Sequence, residues 1–220
     1  MANPDDYTVH GYGGNDRFTM TYGDNYGDKF RGGDGIDVAV LPSDKADWEI
    51  NSAIVWNELD SISNLPGHRI RDITLETGNV LEVAEVERLE FTDVNVALDI
   101  DGSAGLTAKT LAAVIGEDGL SNKEYVGIGL QLFDAGQSLA AVCELALTAV
   151  GATTNEEVVN LLYTNLYGEA PTAEVAQPFI DALNNGGFTK GSLAAAAAEL
   201  TDDLGVIDLV GLAETGIEYV

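Results

Sequence analysis

The chain has 220 residues, with 37 Asp and Glu against 10 Lys and Arg, a net charge near −27 and an isoelectric point near 4.1. A polyanion of this kind repels phosphate backbones and anionic membrane surfaces, and no local basic patch offsets the repulsion, so nucleic-acid binding is excluded. Hydrophobic residues make up 45 % of the chain, enough to bury a core and to argue against wholesale disorder. No run of 18 apolar residues occurs, so no membrane span is expected. Met1 to His10 is polar and acidic, unlike a classical signal peptide, which leaves the cytosol or another export route.

The first segment, residues 1–42, is rich in Gly and Asp and contains a nonapeptide repeat. Its clearest copy runs from Gly32 through Gly33, Asp34, Gly35, Ile36 and Asp37 to Val40, and fits G-G-x-G-x-D-x-U-x with Ala39 as a small U. Nine residues upstream, Gly23 to Arg31 is a degenerate copy that keeps Gly23, Asp28 and Phe30 and has lost the glycine pair. A third copy, Gly11 to Thr19, keeps Gly11, Gly13, Gly14, Asp16 and Phe18, with Tyr12 off pattern. Met20, Thr21 and Tyr22 lengthen the spacing between the outer copies from 18 to 21 residues, and Asp5-Asp6 is read as the remnant of an earlier turn. A six-residue turn of this kind needs glycine where φ is positive, and it turns backbone carbonyls inward beside a carboxylate. Hard oxygen donors of that sort suit Ca²⁺, which takes six to eight of them at about 2.3–2.6 Å. The alternative is a Gly/Asp-rich loop that holds no ion.

These copies resemble the RTX, or hemolysin-type, calcium-binding repeats of bacterial secreted proteins. The resemblance implies a parallel β-roll in which turns alternate sides, so that the turns bearing Asp16 and Asp37 face each other. Asp28 would then lie opposite, toward the Asp6 region. It also implies a ligand set of Gly11, Gly13, Asp16, Gly33, Gly35 and Asp37, with Gly23, Asn25 and Asp28 from the middle copy. One good calcium site, and at most two, is expected.

Residues 43–101 alternate apolar and polar positions and predict strands over 46–62 and 69–100, with turns at Pro66-Gly67 and Thr77-Gly78-Asn79. The string Val86-Glu87-Arg88-Leu89-Glu90-Phe91-Thr92-Asp93, followed by Ala97-Leu98-Asp99, is similar to the stretch that closes RTX rolls, so this segment is read as a β-rich cap. A cap also covers an edge that would otherwise aggregate. His10 and His68 are isolated and read as surface or turn residues rather than metal ligands.

Residues 102–203 predict five or six helices. Thr107 is expected to start the first, Ser121-Asn122-Lys123-Glu124 to cap the second, and Ala135-Gly136 to separate it from SLAAVCELALTAV. Thr154-Asn155-Glu156-Glu157, Pro171-Thr172, and Thr189 or Ser192 open the last three. Leu162, Tyr163, Leu166, Pro171, Leu183 and Gly186 resemble the pattern of a helical domain of unknown function found in bacterial surface and secreted proteins, with Glu169 near the family's arginine and Phe179 in place of its tryptophan. Tyr163, Tyr167 and Phe179 are read as helix-packing core, with a ligand groove as the other reading. The lone Cys143, in AAVCELAL beside Glu144, is read as a buried hydrophobe rather than a reactive thiol. Residues 204–220 form an apolar tail with spaced acids, compatible with a C-terminal type I secretion signal or with a last strand or helix docking on the bundle.

Neither H-E-x-x-H, nor G-x-S-x-G, nor a P-loop is present, and two histidines with one cysteine are too few for a His- or Cys-based site, so the expectation is a non-enzyme. The whole reads as an α+β protein in which a parallel β-roll, residues 1–42, precedes a β cap, a helical bundle and a tail. The expected function is calcium binding in a secreted or cell-surface setting, after passage through type I secretion machinery, in a structural or adhesive role. The alternatives are a calcium-dependent glycan-binding module, or the C-terminal part of a larger secreted protein.

Overall fold

The computed structural model describes residues 8–20, 27–56, 64–74 and 79–220. It is an α+β fold, and the chain divides into two compact units. One comprises Met1–Asp99 with Val210–Glu218, the other Ile100–Leu209 with Tyr219–Val220.

The first unit holds two five-stranded sheets. Strands β1 (Thr8–Gly13), β3 (Asp28–Asp34), β7 (Val80–Ala84), β6 (Asn64–Asp72) and β5 (Trp48–Trp56) lie in that order in the first. The second has the order β10 (Ile217–Tyr219), β9 (Asn95–Ala97), β8 (Arg88–Glu90), β4 (Val38–Val40) and β2 (Arg17–Thr19). Strand pattern and register agree: Phe18, Ala39 and Leu89 are partners across three strands and all turn toward one core. Ala39 and Leu89 are fully buried, and the Phe18 ring stacks on Phe30 of the other sheet with centroids 5.3 Å apart. Phe30 in turn is the register partner of Val83. Two apolar faces thus close on each other, as sheets with alternating residues must.

The parallel β-roll expected for residues 1–42 is corrected here. Both sheets are mixed and open. β1, β3 and β7 run parallel, but β6 is antiparallel to β7 and β5 to β6; β2, β4 and β8 run parallel, but β9 is antiparallel to β8. The nine-residue repeat is also not the structural period. The inserted residues put the outer copies in direct register, Thr8 with Lys29 and Arg17 with Val38, while the degenerate copy contributes only Asp28 to Arg31 of β3 among the described residues. The next parallel partners come from the segment read as a cap, Asp28 with Leu81 and Val38 with Arg88. The predicted turn at Thr77-Gly78 lies outside the described residues.

The second unit is helical: α1 (Ser103–Val114), α2 (Lys123–Asp134), α3 (Leu139–Ala149), α4 (Asn155–Tyr167), α5 (Ala173–Asn184) and α6 (Lys190–Ala198). Side-chain caps set most starts. Asn122, Ser138, Thr154, Thr172 and Thr189 each accept a backbone N–H of the first turn, and Thr154 and Glu157 form a full capping box. The exception is α1, which begins at Ser103, four residues before the predicted Thr107, with Gly102 at its N-cap and no side-chain bond there. Ala104, Ala108, Ala112 and Ala113 on α1 are fully buried. A last helix, α7 (Leu209–Thr215), precedes β10, an edge strand of the second sheet, and the final residue, Val220, donates its N–H to the Lys123 carbonyl of α2 at 3.3 Å. No helix among the described residues is long and apolar enough to cross a membrane.

Candidate metal site

Three corners carry the chain from the first sheet to the second. Gly14-Asn15-Asp16 joins β1 to β2, Gly35-Ile36-Asp37 joins β3 to β4, and Glu85-Val86-Glu87 joins β7 to β8. Each opens on a residue with positive φ: +108° at Gly14, +139° at Gly35 and +51° at Glu85. The corners stack closely enough to require glycine in the middle one. A Cβ on Gly33 would lie 2.1 Å from the Tyr12 carbonyl oxygen, and one on Gly35 would lie 2.1 Å from that of Gly14.

Each corner ends on an acid, and the acids tie the stack together. The Asp16 N–H donates to Asp37 Oδ1 at 2.7 Å, and the Asp37 N–H donates to Glu87 Oε2 at 2.8 Å. Backbone bonds reinforce them: Val38 N–H to the Asp16 carbonyl at 2.9 Å and Arg88 N–H to the Asp37 carbonyl at 3.0 Å. Asn15 adds its side-chain oxygen to the Ile36 N–H at 3.0 Å.

The second carboxylate oxygens have no such partner. Oδ2 of Asp16 and Oδ2 of Asp37 are both buried without a hydrogen bond, and Asp37 is 0 % exposed. Gly11 and Gly32 make the room for them: a Cβ would lie 2.5 Å from Asp16 Oδ2 at Gly11, and 2.3 Å from Asp37 Oδ2 at Gly32. The electrostatics follow from this enclosure. Burial raises the Asp37 carboxyl above its ordinary range, aided by the Asp16 and Glu85 charges and opposed by the Asp16 N–H. Burial pushes Glu87 up to about 7, with the neighbouring Asp37 and Asp99 charges adding and the Asp37 N–H opposing. The guanidinium of Arg88, 4 % exposed, is engaged by Asp99 and by the Glu87 carbonyl at 2.8 Å.

Of the residues predicted from sequence, the stack brings together Asp16 and Asp37, with Gly11, Gly13, Gly33 and Gly35 in the same two rungs. Gly11 and Gly13 lie within β1 and Gly33 within β3 rather than in free turns, with Gly13 and Gly33 in register with Asp34 and Tyr12; of these four only Gly35 stands in a corner. Asp28 begins β3, six steps or about 20 Å from Asp34, and is the register partner of Leu81, so it does not join the pair. Gly23, Asn25 and the Asp6 region lie outside the described residues. Sequence reasoning missed Gly32 as the residue that seats Asp37, and Glu87 as the third acid. The signal for Glu87 was its place just before an apolar-centred strand, Arg88-Leu89-Glu90, matching Asp37 before Val38-Ala39-Val40.

Comparison with protein-family models, curated proteins and solved structures finds no match to this chain. The site therefore stands on its own chemistry. Among the described residues no group of three or more His, Cys, Asp or Glu side chains converges as metal ligands. Two orphaned anionic oxygens in adjacent rungs, with neither nitrogen nor sulfur beside them, fit a hard cation whose remaining ligands are carbonyl oxygens or water. The histidines stand apart: His10 stacks on Tyr12, and His68 Nε2 lies 2.9 Å from the Ala213 carbonyl oxygen.

Proposed function

We propose that this chain is a calcium-binding protein of the secreted or cell-surface class, with a structural or adhesive role and no catalytic one. The observation that carries the reading is the pair of buried, unpartnered carboxylate oxygens of Asp16 and Asp37 in adjacent rungs. Charge buried without a partner is costly, and a bound cation removes the cost. Asp16 and Asp37 would hold the ion, and the repeat-like glycines give it backbone access. Calcium would supply the charge that lets the corners close, so its binding free energy adds to the stability of the sheet unit. Extracellular modules bind at about 10⁻⁴–10⁻³ M. Such a protein stays loose at cytosolic calcium, as export through a type I channel requires, and closes outside, where it meets a surface or matrix component.

The test is a calcium titration of chelated protein, followed by calorimetry and tryptophan fluorescence, with Mg²⁺ as control. At ten times Kd, binding should add about 1.4 kcal/mol to the unfolding free energy. Asp37→Asn keeps an acceptor for the Asp16 N–H and removes the charge, so it should abolish the response. An equal response to Mg²⁺, or an unchanged titration in Asp37→Asn, would refute the assignment.

A further inference from the structure

The stack of corners has an open end. β1 is the outer strand of the first sheet and β2 that of the second, so among the described residues their rung pairs on one side alone, with β3 and β4. An unpaired strand edge is a template for another chain, and native edges are guarded by charged side chains or proline. β1 has neither. Residues 8–20 carry one acid, Asp16, and one arginine, Arg17, so the edge lacks the negative charge that repels like chains elsewhere on the molecule. Its core-facing side chains are incompletely covered: Val9 is 38 % exposed, whereas its register partner Phe30 is 2 % exposed. The series of acid-to-backbone bonds also stops here. Asp37 and Glu87 each accept an N–H from the preceding rung, but among the described residues none donates to the Asp16 carboxylate.

Tyr12 stands against a further rung. It lies in β1 at φ +73° and is 81 % exposed, with its ring stacked on His10 at 5.8 Å between centroids. A bulky side chain is strained in this region of the backbone. Its register partner, Gly33, has φ +109° and no side chain. Gly33 can have none, because a Cβ there would lie 2.1 Å from the carbonyl oxygen of Tyr12 in the preceding rung. A rung laid on β1 and β2 with the same step would bring its own carbonyl equally close to the Cβ that Tyr12 does have. The other close approach is open. Gly35 is glycine beneath the Gly14 carbonyl, and Gly14, its equivalent in the edge rung, is glycine too, with nothing within 4 Å.

We infer that Tyr12 is a steric stop that closes this edge to one kind of partner, a repeat segment of a second copy of this chain, residues 28–40, laid parallel to β1 and β2. That segment has the matching shape: an extended strand, a kink at Gly33, a corner at Gly35 and a short strand. With glycine at position 12 the edge would accept it. Sterics alone carry the stop, with or without a bound cation.

The full chain would be titrated with a synthetic peptide of residues 28–40, with backbone amide shifts of β1 and β2 as the readout. Wild type should show no saturable shift. Tyr12→Gly, which suits the positive φ and so keeps the fold, should bind the peptide saturably at β1 and β2. Relief of the clash should make this binding tighter than any to wild type by about tenfold or more. Tyr12→Ala keeps the Cβ and removes the ring, so it should stay closed, which separates a stop at the Cβ from general cover by an aromatic ring. A scrambled peptide should not bind Tyr12→Gly. Saturable binding to wild type at these strands, no binding to Tyr12→Gly, equal binding to Tyr12→Ala and Tyr12→Gly, or binding of the scrambled peptide would each overturn the proposal.

Discussion

Glu87→Gln offers a sharp test of the acid stack, because it removes a charge while keeping a side-chain oxygen for the Asp37 N–H. In calcium-free protein the Glu87 carboxyl titrates near 7 when folded and near 4.5 when unfolded. Below pH 4.5 both states hold the proton. Between 4.5 and 7 only the folded state does, so stability falls as pH rises through that window and levels off above it. At about 1.36 kcal/mol per pH unit the ceiling on this loss is about 3 kcal/mol, and partial solvent access reduces it to about 1–2 kcal/mol. Asp37 is raised for the same main reason and adds a loss of the same sign, beginning at lower pH. Urea unfolding in chelator, followed by tryptophan fluorescence from pH 4.5 to 8.5, reads this directly. Both tryptophans lie on β5, and Trp48 is buried with its indole N–H on Ser43 Oγ at 2.8 Å, so the signal reports on the sheet unit. Glu87→Gln should flatten the profile and raise stability at pH 8. A flat wild-type profile, or a Gln variant less stable at pH 8, would refute the account of Glu87 as a buried, charge-crowded acid.

Gly33→Ala and Gly14→Ala share a positive φ, +109° and +108°, but only Gly33 faces a backbone oxygen 2.1 Å from a new Cβ, while Gly14 has nothing within 4 Å. Urea midpoints should show a loss of about 1–2 kcal/mol for Gly14→Ala, from strain alone, and well above that for Gly33→Ala. Thr154→Ala removes the hydroxyl that accepts the Glu157 N–H, leaving only the backbone half of the α4 capping box, and should lower helical-unit stability by about 1 kcal/mol, read from the far-ultraviolet melt. The hydroxyls and N–H groups of Thr153 and Thr154 hold the Glu157 carboxyl below its ordinary value; that contribution is present above pH 4.5 and is lost as pH falls through the folded value, so the cost of Thr154→Ala should shrink in acid. Burial pushes the Cys143 thiol up to about 11, so native protein at pH 8 should resist a thiol reagent that labels urea-unfolded protein at once.

Where the local code is short-range, the sequence was readable. Thr154, Thr172 and Thr189 announce helix starts because a side chain three residues away closes the first turn, whereas Gly102 before α1 has no side chain with which to do so. The meeting of Asp16 and Asp37 followed from the RTX resemblance, although Met20, Thr21 and Tyr22 depart from its spacing and set the separation at 21 residues. The third rung was not readable. Its corner replaces glycine by Glu85 at φ +51° and Asp by the longer Glu87, and it stands 50 residues beyond Asp37, so no repeat spacing points to it. The parallel roll expected over residues 1–42 failed because β3 and β4 pair onward with β7 and β8, and β5, β6 and β9 extend the same sheets antiparallel, a long-range continuation that repeat spacing does not encode.

Net charge is a poor guide to the cation site; burial is a better one. Residues 100–220 carry 17 acids and three lysines, yet seven α-helices form there with most of those acids in solvent, where charges cost little. Residues 1–99 carry 20 acids and seven Lys and Arg, and several of those cations are spent on exposed cross-strand pairs such as Arg17 with Glu90 and Arg31 with Glu85. Among the buried polar atoms that the sheet unit leaves without a hydrogen bond are the enclosed Oδ2 of Asp37 and that of Asp16, while the buried Arg88 is taken by Asp99. Protons or a bound cation can relieve them, so Asp37→Asn should lose the calcium response together with the Asp37 share of the proton linkage, while the share carried by buried Glu87 remains. Asp34→Asn, three residues away on an exposed side chain, should leave both intact. If the two variants instead lose calcium response equally, diffuse surface charge binds the ion and the buried stack is only structural.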